Sequence, residues 1–103
     1  MEVIIPHDRF IKLIGNFIHE KFPNFSADKA LEETWSNGDD SYIEYYDPEN
    51  PRLVFAKYYI WKSELVLHRD LFAYLDRFFG DDITYTIDWF NNEFGQNAEN
   101  ITY

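Results

Sequence analysis

The run Asp47-Pro48-Glu49-Asn50-Pro51 constrains the chain more than any other stretch, because it sets two prolines among turn-forming residues. Proline fixes φ and removes a backbone donor, so neither a helix nor a central strand runs through such a segment. The flanking stretches, 41–46 and 52–61, are rich in Tyr, Val, Phe and Ile. These branched and ring side chains suit a pleated surface. Together the three pieces predict an antiparallel hairpin over about 41–61. In its second strand Leu53, Phe55, Lys57, Tyr59 and Trp61 alternate with Val54, Ala56, Tyr58 and Ile60. Neither set is cleanly polar, so this strand is expected to be central or covered on both faces. A tight turn at Lys62-Ser63 offers a third strand over 64–67.

A sheet this small needs helices to bury its apolar side. Phe10, Ile11, Leu13, Ile14, Phe17, Ile18 and Phe22 recur at helical spacing and predict an amphipathic helix over 7–22. Pro6 suits its first turn and Pro23 closes it, after a short apolar strand at 3–5. A second helix is expected over 27–36, capped by Ser26 and stopped at Asn37-Gly38. Ala27, Ala30, Leu31 and Trp35 form its apolar side, and Glu32 and Glu33 face water.

A third helix, 69–79, follows from Leu67, Leu71, Tyr74, Leu75 and Phe78 at helical spacing ahead of Gly80, with Ser63 or Asp70 as its cap. Over 82–94 two signals compete. Thr84 to Ile87 favour strand, yet Ile83, Ile87, Phe90 and Phe94 line one helical face, with Asp81 or Asp82 to cap it and Gly95 to end it. The periodic stripe wins, and helix is expected. Residues 101–103 offer a last short strand. The expected fold is therefore α+β: a small antiparallel sheet packed against about four helices in a single compact domain, 1–103.

Ten Phe, eight Tyr and three Trp make 20% of the 103 residues. Each ring can bury roughly 150–250 Å², more than so small an interior absorbs. Some rings must therefore lie at the surface, where Tyr and Trp tolerate water and anchor interfaces. The chain has no cysteine, which excludes disulfides, thiolate catalysis and cysteine-ligated zinc. With neither the basic start nor the long apolar run of a secretory leader in Met-Glu-Val-Ile-Ile-Pro, the cytoplasm is the expected compartment.

The formal net charge is −10. It is uneven: residues 39–51 carry five acids and no base, residues 52–69 are net +3, and residues 70–103 are net −6. Such a balance repels phosphate backbones and anionic membranes; it is compatible with a basic protein partner, with mimicry of nucleic acid, or simply with keeping an aromatic-rich chain in solution. Two acidic groups are the candidate partner-binding residues: Asp39, Asp40, Glu44, Asp47 and Glu49, and then Asp76, Asp81, Asp82, Asp88 and Glu93. Tyr45, Tyr46 and Trp61 are the expected aromatic anchors. An inhibitor or immunity-type protein that occludes a basic nuclease or toxin fits this pattern, with nucleic-acid mimicry as its sharpest form. Mimicry requires the acids on one ridge and the bases of 52–69 on the opposite side. The competing expectation is a homodimer joined through Trp61, Tyr58 and neighbouring rings.

Catalysis is not expected. His7, His19 and His68 form no ligand pair at a metal-binding spacing, and the acidic run lacks the glycine-centred loop of a calcium site. Four isolated glycines offer no phosphate cradle. No metal or cofactor is expected.

Overall fold

A computed structural model describes residues 7–103. The expected strand at 3–5 and the role of Pro6 lie outside the described residues. The chain runs through α1 (His7–Lys21), β1 (Leu31–Trp35), β2 (Tyr42–Asp47), β3 (Asn50–Tyr59), β4 (Glu64–Leu67) and α2 (Arg69–Phe79). A 3₁₀ turn, Gly80–Thr84, then leads into α3 (Tyr85–Phe94) and β5 (Asn100–Thr102). The strands form one sheet in sequence order, β1-β2-β3-β4-β5. The first four are an antiparallel meander, and β5 pairs parallel with β4.

This architecture corrects the expected one. The sheet is five-stranded and mixed, not a small antiparallel hairpin with a third strand beside about four helices. The largest error is at 27–36. There only one helical turn forms, with Lys29 N and Ala30 N both donating to the Ser26 carbonyl at 3.2 and 2.9 Å. The chain then extends into β1, which pairs with β2 from Leu31↔Tyr46 to Trp35↔Tyr42. A helix here would have left the outer backbone of β2 unpaired. Strand pairing satisfies those groups and outweighs a weak apolar stripe.

The starts of the two C-terminal helices also differ from expectation, while their ends at Gly80 and Gly95 agree with it. His68 caps α2, its Nδ1 accepting from Asp70 N at 3.1 Å, in place of Ser63 or Asp70. Over 82–94 the first turn is 3₁₀, and Thr84 stands at the start of α3 without a side-chain cap, so neither Asp81 nor Asp82 serves there. Gly95 ends α3 in the left-handed region, φ 67°, its N–H donating to Asn91 O. The Asn91 side chain then clamps the following loop. Its Nδ2 donates to Ala98 O at 3.0 Å, and its Oδ1 accepts from Ala98 N at 2.8 Å.

The helices cover one face of the sheet. Tyr45, Ala56 and Leu67 are direct cross-strand partners, as are Tyr58 and Leu65, and all five are buried. Phe90 and Phe94 of α3 pack on Tyr45 at 5.5 and 4.6 Å between ring centroids. Ile14 and Ile18 of α1 and Leu71 and Leu75 of α2 complete the core. A β-bulge adds one more ring. Between Tyr45↔Ala56 and Tyr46↔Val54, β3 uses two residues against one of β2, and Phe55 is the extra residue. Bulging turns Phe55 inward beside Ala56. There it stacks on Phe25, with centroids 5.0 Å apart.

Gly15 lets α1 approach α3. A Cβ at Gly15 would lie 2.8 Å from Trp89 Nε1 and 3.0 Å from Trp89 Cδ1. The indole is itself buried, so it has little room to yield. Gly15→Ala is expected to destabilise the fold by about 1–2 kcal/mol in urea unfolding, overpacking outweighing the gain in helix propensity. Adding Trp89→Phe should recover part of that loss.

Candidate functional site

Among the described residues, the opposite face of the sheet carries no helix. Alternation places two cross-strand rows there: Glu33, Glu44, Lys57, Val66 and Thr102, and beside it Trp35, Tyr42, Tyr59, Glu64 and Asn100. All are exposed or only partly buried. Of the two expectations for β3, the strand is central in the sheet but not covered on both faces: Lys57 and Tyr59 lie on the open side. The aromatic row is continuous across three strands. Trp35 stacks with Tyr42 at 6.4 Å and 23°, and Tyr42 meets Tyr59 at 5.3 Å.

Cations sit on this row. Lys57 Nζ is 5.1 Å from the Tyr42 ring centre and Lys62 Nζ is 5.5 Å from that of Tyr59. Lys62 also donates to Asp40 Oδ1 at 2.6 Å, and that bond holds its ammonium above the usual lysine range. An open concavity of about 480 Å³ lies between Tyr42, Tyr59, Lys62, Glu64, Thr102 and Tyr103. The carboxylates are placed asymmetrically. Glu44 has Lys57 opposite on one side and Glu33 opposite on the other. Glu33 therefore faces a like charge across β1 and β2, an arrangement that costs stability in the free protein.

The expected site residues divide sharply. Glu44 and Asp40 border the open face, Tyr46 is half-buried beside Leu31, and Trp61 stands 73% exposed in the β3–β4 turn. Tyr45 cannot be a surface anchor: it is 0% exposed, on the helix-covered side. Tyr58, expected beside Trp61 at a homodimer contact, is only 4% exposed for the same reason. Three acids serve the fold. Asp47 Oδ1 accepts from Glu49 N and from Asn24 Nδ2, fixing the β2–β3 turn and the loop behind it. Glu93 accepts from Ala27 N at 2.7 Å, and Asp88 pairs with His7 at 3.2 Å.

Glu49 and Asp39 are exposed in the turns at opposite ends of β2. Asp76, Asp81 and Asp82 are exposed on the helical layer, away from Glu44. The acids thus form no single ridge, and Lys57 and Lys62 lie among those of the open face. That is the opposite of the separation that duplex mimicry needs, so mimicry is set aside.

Glu33, Trp35, Tyr42 and Tyr59 do not emerge as a group from the sequence, because the spacing over 27–36 predicts helix. The alternation Leu31, Glu33, Trp35 was the available signal, and it competed with helical spacing through Ala27 and Ala30. The histidines are dispersed: His7 pairs with Asp88, His19 lies edge-on to Trp89, and His68 caps α2. Among the described residues no three His, Asp or Glu are grouped to hold a metal ion, and no helix is long and apolar enough to cross a membrane.

No family model matches this chain, and neither a curated protein nor a solved structure is significantly similar to it.

Two measurements check the electrostatics of this layout. Burial pushes the Tyr45 phenol up to about 12, although Gln96 Nε2, at 3.2 Å, favours the phenolate. A raised folded-state pKa gives stability that is whole below the unfolded value near 10 and is lost as pH rises towards 12. Alkaline unfolding curves should therefore fall by roughly 2–3 kcal/mol across that window, and Tyr45→Phe should flatten this part of the slope. Separately, Glu33→Gln should raise stability by about 0.2–1 kcal/mol at low salt by relieving repulsion with Glu44. Added salt should shrink that gain.

Proposed function

We propose that this chain is a non-catalytic protein-binding module that presents the uncovered face of its sheet to a basic protein. The observation that carries this reading is the aromatic row Trp35, Tyr42, Tyr59 lying beside carboxylates on the one face left without helices. Planar rings with polar ends supply contact area at small entropic cost and dominate interface energetics. A net charge of −10 steers a cationic partner to the surface and speeds its arrival. Glu33 gains from such a partner, because an incoming cation would offset its repulsion with Glu44. A basic nuclease, toxin or other nucleic-acid-handling enzyme has the matching chemistry. Carboxylates seated over its phosphate-binding surface would inhibit it by occlusion.

The test is capture from the native source at low and then high salt, using the wild-type protein and two variants. The open-face variant is Tyr42→Ser with Tyr59→Ser; the helical-layer variant is Asp81→Lys with Asp82→Lys. A basic protein should be held by the wild type, released by salt, retained by the helical-layer variant and lost by the open-face variant. Each ring is expected to contribute at least about tenfold in affinity. Capture that depends on Asp81 and Asp82 but not on the rings sinks the assignment of the face. Recovery of the protein alone, with a concentration-dependent sedimentation coefficient, makes self-association the function instead.

A further inference from the structure

β1 is the outermost strand of the sheet, and among the described residues its backbone pairs with β2 alone. All five of its residues are exposed, on the helix side as well as on the open side. The strand overhangs the helical layer: Glu32 and Thr34 point to the side the helices cover elsewhere, yet both are exposed among the described residues. Such an edge is a row of unmatched N–H and C=O groups, a ready template for another extended segment.

The side chains state which segment fits. On the open face Glu33 stands between Leu31 and Trp35, which are 44% and 46% exposed. On the other face Glu32 stands beside Thr34. A strand laid along this edge meets a carboxylate on each of its two faces, and apolar surface on either side of Glu33. We propose that the partner binds by adding an extended basic segment to β1 as a sixth strand. Lysine or arginine would lie opposite both Glu33 and Glu32, and apolar residues opposite Leu31 and Trp35. The proposal rests on the protein-binding reading above and names the contact through which it acts.

A second copy of the chain fits this edge poorly. An antiparallel β1–β1 pair centred on Glu33 sets Glu33 against Glu33. With Glu44 behind each, four carboxylates would occupy adjacent positions in one cross-strand row. The same charges that repel a self-copy select a cationic strand, so specificity comes from exclusion as much as from attraction.

The probe is the capped peptide Thr-Val-Thr-Lys-Lys-Val-Thr, whose antiparallel alignment sets the two lysines opposite Glu33 and Glu32. Its counterpart carries glutamate at both lysine positions. Each is titrated into isotope-labelled protein at low salt to millimolar concentration, with amide hydrogen exchange read at 31–35. The lysine peptide is expected to slow exchange at alternate amides of β1, and the glutamate peptide to leave them unchanged. N-methylation on the pairing edge of the peptide should weaken binding about tenfold, because two backbone bonds are lost. Glu32→Lys with Glu33→Lys should reverse the preference to the glutamate peptide.

Three results would overturn strand addition. One is lysine-peptide binding that ignores N-methylation and shifts only Tyr42 and Tyr59, which leaves the protein-binding reading intact. Another is the absence of any response to the lysine peptide while a basic protein is still captured through the open-face rings. The third is slowed exchange in β1 on raising the protein concentration alone, which assigns the edge to a second copy. Failure of the capture experiment, by contrast, removes the protein-binding reading whatever the peptide does.

Discussion

The packing of Phe90 and Phe94 against Tyr45 and Tyr58 ties the helical layer to the sheet. Phe25 extends the cluster, stacking on Phe55 and on Phe94 and meeting Trp89 edge-on. Aromatic pairs of this kind add about 0.5–1.5 kcal/mol each beyond the area they bury. They also decide orientation, since every ring that faces α3 fixes the alternate residues of its strand on the other side. One core thereby dictates two surfaces. Tyr45 and Tyr58 point inward, and Glu44, Lys57 and Tyr59 must point out.

Much of this was legible in the residues. The double-proline turn between two ring-rich runs does mark the β2–β3 hairpin, and the stripes ending at Pro23 and Gly80 do mark α1 and α2. What could not be read is which backbone needs a partner. Leu31 to Trp35 is ambiguous alone and becomes a strand because β2 offers an edge. The same blindness misplaced the anchors. Tyr45 and Tyr46 are neighbours in a strand, so at most one of them faces each side, and composition cannot say which. The Phe55 bulge breaks simple alternation in β3, and so hides which of its residues line the core. Acid counts located the charge in the chain but not its employment: Asp47, Asp88 and Glu93 are engaged in holding turns, loops and a histidine.

The surface that results differs from a uniform acidic coat. Cations and carboxylates are interleaved on the open face, where Lys57 and Lys62 lie over tyrosine rings while Glu33 keeps a like-charged neighbour. The net charge of −10, most of it on the strands and loops and not on the helices, would draw a cationic partner from a distance within the screening length of the medium. On the proposed reading, the few side chains on β1 and the rings beside them would determine how that partner is seated.

The parallel pairing of β5 with β4 has a bearing on the order in which the chain folds. β1 to β4 are joined by short turns, so their contacts are local and close at small entropic cost. β5 reaches β4 only after α2 and α3 have been traversed, and a parallel pair requires such a crossover. The meander can therefore assemble from neighbours in sequence, whereas the fifth strand waits for the helices to pack. The Asn91 clamp on Ala98, and the bonds from Glu99 N and Asn100 N to Ser63 O, then act as a late latch that closes the sheet.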